Sequence, residues 1–343
     1  MESEVQYLNS DITLFTYLHL AGNPSLAKKL IDTGVRGIAY ETVTSPDNTF
    51  PLLAPMSAIA GQIAFNVGNY FLLKQNKGRG VLIGTLDGLD LGLVTIIGCG
   101  VAGEESLRKA INNRVEVNLI DLSEQRLSQL KSKYGDEKIN YIVSTPDSIA
   151  ESITDSDLIL GSVYSLGKNA PKVVTDNMLD TVKPGAVMVD ISIDQGGCFE
   201  TSSPTTHDDP TFLHKGIVHY CVTNMPGAVP LTATLALNKA TLSYITELAD
   251  KGIQKALEEN EHFLFSDKAF YCDFAFYHHM KLLKDCAGEL LDNYPKIIDF
   301  CETFEKLRGI DDYLKNRPSL IGIGKDPKLG YEGHFLPTGY WRD

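Results

Sequence analysis

The chain has 343 residues, of which 43% are hydrophobic and 22% charged, and its 44 acidic against 31 basic residues give a net charge of −13. This length predicts two or three domains with a sizeable buried core. The excess of acidic residues argues against nucleic acid or an anionic membrane as a partner. The sequence has no apolar run of membrane-spanning length and no basic signal-peptide start, so we expect a cytoplasmic protein.

Strands and helices alternate through most of the first 260 residues. A long apolar helix is predicted over residues 57–74, and a second long helix over 229–257, with Pro230 in its first turn. The strands predicted between them are 94–97, 115–120, 158–162 and 186–193, and the helices are 104–112 and 123–133. The alternation predicts a doubly wound parallel sheet with helices on both faces. The two flanking helices suggest that this domain is inserted into a second one.

A glycine motif between the first predicted strand and its helix carries the clearest chemical signal. In Gly98-Cys-Gly100-Val-Ala-Gly103, the first glycine allows a tight turn, the second lets backbone approach a pyrophosphate, and the third lets the helix pack against the sheet. Asp121, 23 residues after Gly98, ends the next strand, where a carboxylate accepts hydrogen bonds from ribose hydroxyls and repels a 2′-phosphate. The pattern predicts NAD rather than NADP; the alternative is a glycine turn without a cofactor.

Two further stretches have the composition of site loops. Residues 190–197 (DISIDQGG) follow a buried strand, so Asp194 is a candidate acid or base, or else a cap or turn residue. Residues 224–230 (NMPGAVP) form a rigid turn that holds a cofactor ring or simply connects two elements. His19 lies in an apolar run, where a histidine belongs either to the core or to a site.

The composition changes near residue 260. Half of the 30 aromatic residues fall in the last 83 positions, which suggests a second core, and the apolar spacing of residues 263–317 predicts helices interrupted at Tyr294-Pro295. The adjacent His278 and His279 would point apart on a helix, so we expect solvated or capping side chains and no metal site. The six cysteines show no ligand spacing and predict reduced, buried thiols: Cys99, Cys198, Cys221, Cys272, Cys286 and Cys301.

Six stretches between residues 4 and 256 resemble the alanine dehydrogenase family in sequence, order and spacing. They are LFTYLHLAG (14–22), AYETV (39–43), PLLAPMSAIAGQIA (51–64), VTIIGCGVAG (94–103), KPGAVMVDISIDQGGCFETSSPTTHDDPTF (183–212) and HYCVTNMPGAVPLTATLAL (219–237). The resemblance implies an α/β fold, with a Rossmann-type doubly wound parallel sheet inserted in a partial substrate domain. The expected divisions are a partial substrate domain (1–57), an NAD-binding domain (58–226), a return helix (227–260) and an all-α segment (261–343).

The same resemblance implies the reaction and its residues. His19 and Asp194 match the catalytic positions of a reversible oxidative deamination of L-alanine by NAD to pyruvate and ammonium. The matched cofactor-contacting positions are Ser57, Gly98, Gly100, Gly103, Asp121, Arg126, Ser144, Val163, Asn224 and Met225. We expect a small amino-acid or 2-oxo-acid substrate and a homo-oligomer, with neither nucleic acid nor a membrane as partner.

One departure from the family leaves alternatives open. Family members carry a further stretch before the segment matched by residues 4–22, which supplies an arginine and a lysine for the substrate carboxylate. Neither has a counterpart here; Arg36 and Lys74 are candidates to substitute, although no sequence pattern singles them out. The chain is therefore an active alanine dehydrogenase, a catalytically impaired NAD-binding or assembly protein, or a dehydrogenase for another amino or imino acid.

Residues 263–317 resemble a different family, the C-terminal half of the helical domain of mu/sigma-type glutathione S-transferases. That family's helix cap would pair Asp273 with a Ser or Thr, but the partner position holds Phe270, so no intact capping box is expected. The glutathione-binding domain of that family is not recognised in the chain. We therefore expect no glutathione transfer by this chain alone.

Overall fold

The computed structural model describes residues 4–20, 23–45, 49–87, 89–165, 169–258, 295–305, 328–331 and 334–337. The chain divides into two compact units, Met1–Thr246 and Glu247–Asp343. The first unit holds all the predicted catalytic and cofactor-contacting residues, so the fold is described mainly there.

The first unit begins with two short parallel strands joined by a helix. The elements are β1 (Thr13–Thr16), α1 (Pro24–Thr33) and β2 (Arg36–Ala39). The Asn23 side chain accepts from the N–H of Leu26 and starts α1, and Gly34 ends it in a left-handed conformation (φ +70°). Leu18 packs with Leu26 and other apolar residues beneath this layer.

A long apolar helix, α2 (Ala54–Phe71), follows, and a hairpin of β3 (Gly84–Leu86) and β4 (Leu89–Leu91) leads into the main sheet. The predicted helix over 57–74 is thus confirmed with a three-residue shift. Gly61 is the point of closest approach between α2 and the helix after the glycine motif, because a Cβ there would lie 2.1 Å from the carbonyl oxygen of Ala102.

The main sheet has seven strands in the order β10-β11-β9-β8-β5-β6-β7, and all neighbours are parallel except β10 and β11. The strands are β5 (Leu93–Ile97), β6 (Glu116–Asp121), β7 (Ile139–Val143), β8 (Leu158–Gly161), β9 (Val187–Asp190), β10 (Thr211–His214) and β11 (Ile217–Tyr220). The order reverses at β5, which is the switch point where doubly wound sheets bind ligands.

Helices cover both faces of this sheet. They are α3 (Val101–Asn112), α4 (Glu124–Tyr134) and α5 (Pro146–Thr154). Alternate residues of β5 point to opposite faces of the sheet. Val94 and Ile96 pack with α2 and α3 on one face, whereas Ile97 packs with α5 on the other. The predicted doubly wound sheet is therefore confirmed.

The predicted strand over 186–193 extends too far. β9 ends at Asp190, and Ile193–Gln195 forms a 3-10 turn. The fully buried Asp190 carboxylate accepts the N–H of Ser192 at 3.0 Å, which turns the chain out of the sheet. In the first unit, seven further strands (β1 to β4, β7, β10 and β11) and the helices α1 and α5 were not predicted from the sequence.

The helix predicted over 229–257 is present as α6 (Pro230–Glu258), shifted by one residue, and its course is interrupted at Gly252 (φ +72°, ψ 159°). Among the described residues of the second unit, α7 (Pro295–Glu305) buries Phe300 and Phe304. An antiparallel pair of β12 (Lys328–Tyr331) and β13 (His334–Pro337) was not predicted from sequence. His278, His279, Phe270 and Asp273 lie outside the described residues.

Four of the six cysteines lie in the described part of the chain, and each is buried: Cys99, Cys198, Cys221 and Cys301. Cys272 and Cys286 lie outside it. None of the helices that the structure describes is long and apolar enough to span a membrane.

His219 on β11 is a fully buried imidazole. Its Nδ1 donates to the carbonyl oxygen of Ile217 at 3.2 Å, and Nε2 accepts from the Thr201 hydroxyl at 2.8 Å. Burial lowers the pKa of His219 to about 4, because the imidazolium would lose its hydration; the Ile217 hydrogen bond opposes this shift and His214 adds to it.

We expect His219 to destabilise the fold in acid. Because its pKa is depressed in the folded state, the unfolded chain takes up the proton first, and the free energy of unfolding falls as the pH drops from about 6.5 toward about 4. In His219→Gln this loss should be smaller by up to ~1.4 kcal/mol per pH unit. Urea unfolding measured between pH 7 and pH 5 tests this; parallel pH curves for the two proteins would contradict it.

Candidate functional site

The glycine motif has the backbone geometry that each of its glycines was predicted to provide. Gly98 turns with φ +95° at the end of β5, and its N–H donates to the carbonyl oxygen of Ile120 at 2.8 Å. A Cβ at Gly103 would lie 1.9 Å from the Gly98 carbonyl oxygen, whereas a Cβ at Gly100 would meet nothing within 4 Å. Gly100 therefore leaves open space at the N-terminus of α3, where N–H groups favour an anion.

Three of the predicted cofactor-contacting residues gather beside this loop. Asp121, the last residue of β6, accepts the N–H of Cys99 at 2.7 Å and that of Ser123 at 2.8 Å. Arg126 Nε donates to the carbonyl oxygen of Cys99 at 2.8 Å, and the N–H of Ser144 donates to the carbonyl oxygen of Asp121 at 2.9 Å. Asp121 keeps lone pairs for further donors, because each oxygen has accepted one N–H.

Glu104, in the first turn of α3, is a charged residue at this edge that sequence reasoning missed. It accepts from Arg126 Nη2 at 2.5 Å, Lys133 Nζ at 2.7 Å and the Tyr134 hydroxyl at 2.8 Å. Burial by itself would raise the pKa of Glu104, but these donors outweigh it and lower the pKa to about 2. Arg126 is thus already paired; the available signal was the position of Glu104 next to Gly103.

A cavity of about 160 Å³ adjoins the glycine loop through Ala102. This volume is well above the roughly 10–15 Å³ that one water molecule needs, so the cavity has room for a small organic molecule. Five predicted site residues line it, namely His19, Ser57, Val163, Asp194 and Asn224. The apolar wall includes Leu53, Met56, Ala60, Ile191 and Pro226. Met225 does not line it; its side chain is 2% exposed and belongs to the sheet core.

Asp194 lies in the 3-10 turn after β9, and its carboxylate faces the turn that precedes α6. The N–H of Asn224, a residue in the left-handed region (φ +50°), donates to both carboxylate oxygens at 3.1 and 3.2 Å. Burial raises the pKa of Asp194, and both the Asn224 hydrogen bond and the charge of His19 oppose that shift. Asp194 and His19, the two predicted catalytic residues, both line this cavity.

The loop that carries Asp194 is held from two sides. Asp190 accepts the N–H of Cys198 at 2.8 Å and the hydroxyl of Ser202 at 2.5 Å. Burial raises the pKa of Asp190, and these hydrogen bonds counteract the shift. Lys172 Nζ donates to three carbonyl oxygens of the same loop, those of Gly196 (2.6 Å), Gly197 (2.8 Å) and Phe199 (3.0 Å). Asp190 therefore binds hydrogen-bond donors of this loop, and Lys172 binds its carbonyl oxygens.

His19 lies beyond the end of β1, next to an aromatic ring that the sequence analysis did not single out. The rings of Tyr17 and His19 stack with their centroids 5.8 Å apart and 9° between planes. The Tyr17 hydroxyl donates to the carbonyl oxygen of Leu52 at 2.5 Å, which fixes its ring. No local pattern in the sequence indicates this stack, because both residues lie beyond the end of β1 and His19 has a left-handed backbone conformation (φ +46°).

The cavity lining, as far as the structure describes it, contains neither arginine nor lysine. Arg36, on β2, donates to the carbonyl oxygen of Asp11, and Lys74 belongs to the 3-10 turn Lys74–Asn76. Neither of these two candidate substitutes for the substrate-carboxylate cations lines the cavity.

Known protein families and solved structures match the chain in two regions. Residues 1–60 match the family model "Alanine dehydrogenase/PNT, N-terminal domain", and residues 64–266 match "Alanine dehydrogenase/PNT, C-terminal domain". Residues 239–317 match "Glutathione S-transferase, C-terminal domain". A solved L-alanine dehydrogenase superposes with a TM-score of 0.69 and 42% identity, covering 76% of this chain and 71% of that chain. A transhydrogenase from Sinorhizobium meliloti, 20% identical over 72% of each chain, shares the fold (TM-score 0.60).

The doubly wound sheet, the glycine loop and the cavity with its histidine and aspartate define an α/β oxidoreductase with a Rossmann-type domain. Alanine dehydrogenase of Halomonas elongata is 50% identical over 260 residues, which cover 76% of this chain and 70% of that protein. The enzyme of Staphylococcus saprophyticus is 47% identical over 261 residues, with the same coverage. The chain belongs to the alanine dehydrogenase family and is an alanine dehydrogenase-like oxidoreductase.

The contrast between Gly100 and Gly103 gives a testable prediction. Gly103→Ala should lower the free energy of unfolding by about 1–3 kcal/mol, because its methyl group would overlap the Gly98 carbonyl oxygen. Gly100→Ala should leave stability unchanged, since its φ of −66° suits alanine, but should raise the Kd for NADH at least about tenfold by filling the space for a pyrophosphate. Urea unfolding and NADH fluorescence titration measure the two effects; equal behaviour of the two variants would contradict the prediction.

Proposed function

We propose that the protein is an NAD-dependent L-alanine dehydrogenase, which interconverts L-alanine with pyruvate and ammonium. The observation that carries the proposal is the position of His19 and Asp194 on one cavity that adjoins the glycine loop through Ala102. Family membership supports the same reaction.

The residues at the carboxyl edge of the sheet fit a dinucleotide. Gly100 leaves open space at the N-terminus of α3, and Asp121 offers a carboxylate at the end of β6 for ribose hydroxyls. When bound there, NAD would accept the hydride that leaves Cα of the substrate. Ser57, Val163 and Asn224 would border the cofactor on the cavity side.

His19 and Asp194 would act on the amino acid itself. An imidazole can both accept and donate a proton, so His19 would take a proton from the substrate ammonium group and release it to solvent. It would then take a proton from the water that attacks the imine and return it to the nitrogen that leaves as ammonium. Asp194 would stabilise the cationic imine, because a carboxylate in a partly buried site interacts with a positive charge more strongly than in water. The apolar residues of the cavity, Leu53 and Met56 among them, would contact the alanine methyl group.

NADH formation from L-alanine at alkaline pH, followed by absorbance, tests the proposal. His19→Gln and Asp194→Asn should each lower kcat by at least ~100-fold, the lower end of the range for losing an acid or base. Arg36→Gln is the matched control: it removes a charge from β2 outside the cavity and should leave kcat unchanged.

Two outcomes of this assay would contradict the proposal. Tight NADH binding without oxidation of any amino acid would support a catalytically impaired NAD-binding protein. Turnover of another amino or imino acid, with none of L-alanine, would support a different dehydrogenase. Unchanged kcat in His19→Gln would remove its catalytic assignment whichever substrate is used.

Asp121 and Glu104 generate a prediction about cofactor choice. Asp121→Ser should raise the Kd for NADH and weaken the exclusion of NADPH, because the carboxylate that repels a 2′-phosphate is gone. Adding Glu104→Gln should improve NADPH binding further, since Arg126 then loses its carboxylate partner and can pair with the phosphate. We expect the ratio of the two Kd values to shift at least about tenfold toward NADPH. Fluorescence titration measures it; an unchanged ratio in the double variant would refute these roles.

A further inference from the structure

The backbone of His19 adopts a conformation that needs support. Its φ of +46° lies in the left-handed region, which is unfavourable for a residue with a Cβ. His19 also lies three residues beyond the end of β1 and outside any strand or helix, so no ladder or helical hydrogen bond binds its N–H. A specific partner must hold this peptide if the imidazole is to stay on the cavity wall.

Glu41 is that partner. Both of its carboxylate oxygens lie 3.2 Å from the N–H of Leu18, and Oε1 accepts the N–H of His19 at 2.7 Å. Glu41 is only 7% exposed, so the carboxylate binds these donors with little competition from water. The parallel pairing of β1 and β2, with Thr16 opposite Ala39, brings the two chain segments to the same end of their small sheet.

Two tyrosines connect this contact to the surrounding structure. The Tyr164 hydroxyl donates to the backbone carbonyl oxygen of Glu41 at 3.1 Å, from the segment that follows β8. Tyr17 packs its ring edge-on against Tyr40, which precedes Glu41, and stacks its face on the His19 imidazole. Glu41 therefore fixes the peptide of His19 while Tyr17 fixes its ring.

We propose that Glu41 is a positioning residue that holds the His19 imidazole toward the cavity by binding the peptide N–H groups of Leu18 and His19. The inference rests on the proposed catalytic role of His19. Glu41 does not line the cavity, so it acts through His19 rather than on the substrate. A carboxylate suits this task because it offers several acceptor sites and no donor to compete with the peptide groups.

The experiment compares Glu41→Gln with Glu41→Ala in the full chain. Glutamine keeps one acceptor oxygen for the His19 N–H, whereas alanine keeps none. We expect kcat with L-alanine to fall by about tenfold in Glu41→Gln and about 100-fold in Glu41→Ala, the size of effect that a misplaced catalytic group produces, while the Kd for NADH is unchanged.

A second measurement does not depend on activity. In protein with labelled histidine, the His19 ring resonance is assigned by its loss in His19→Gln, and the stacked Tyr17 ring should shift it upfield. The Tyr17→Leu variant gives the chemical shift of the His19 ring in the absence of the Tyr17 ring. In the Glu41 variants we expect the resonance to move toward the Tyr17→Leu position, and more so in Glu41→Ala.

Asp157→Asn is the matched control. Asp157 is also a 7% exposed carboxylate that accepts a peptide N–H, that of Leu93, but it does not contact the cavity. Its substitution should lower stability and leave both kcat and the His19 resonance unchanged. An unmoved His19 resonance in Glu41→Ala, or a change in Asp157→Asn equal to that in the Glu41 variants, would overturn the inference. If the resonance moves but wild type oxidises no L-alanine, the proposed function fails and the positioning role of Glu41 stands.

Discussion

Two buried carboxylates hold the loops that carry the candidate catalytic side chains. Glu41 binds the peptide N–H groups that lead to His19, and Asp190 binds those of the loop that contains Asp194. A chain that leaves a sheet inside the protein loses its ladder partners, and its buried N–H groups need other acceptors. A carboxylate supplies several acceptor sites at once, so it fixes the backbone of each loop. The candidate catalytic side chain on that loop is thereby held in position.

The parallel sheet determines where these loops meet. The strands β5 to β9 all end at one edge, where the glycine loop, Asp121, Ser144 and the Asp190 loop follow them. Close packing makes this edge possible: Gly61 lets α2 approach α3, and Gly103 lets α3 approach the loop at Gly98. The same approach brings Ala102 to the cavity wall, so the glycine loop and the cavity are adjacent.

The central strands were predictable because both faces of β5, β8 and β9 are buried, which produces continuous apolar runs. β7 and β10 were missed because polar residues such as Asn140 and Thr211 interrupt their patterns at the edges of the sheet. The end of β9 was misplaced because the apolar run continues through Ile191 and Ile193, while a tertiary hydrogen bond from Ser192 to Asp190 turns the chain earlier.

The sequence by itself determined the doubly wound sheet, the glycine loop and the family, because hydrophobic periodicity and glycine spacing are local properties that the printed chain carries. Only the tertiary structure decided that Glu104 pairs with Arg126, that Met225 belongs to the core and that Glu41 supports His19. Those contacts join residues about 20 positions apart or depend on which side of a turn faces the interior. Their distances follow from how the strands and helices pack, and no local pattern encodes them.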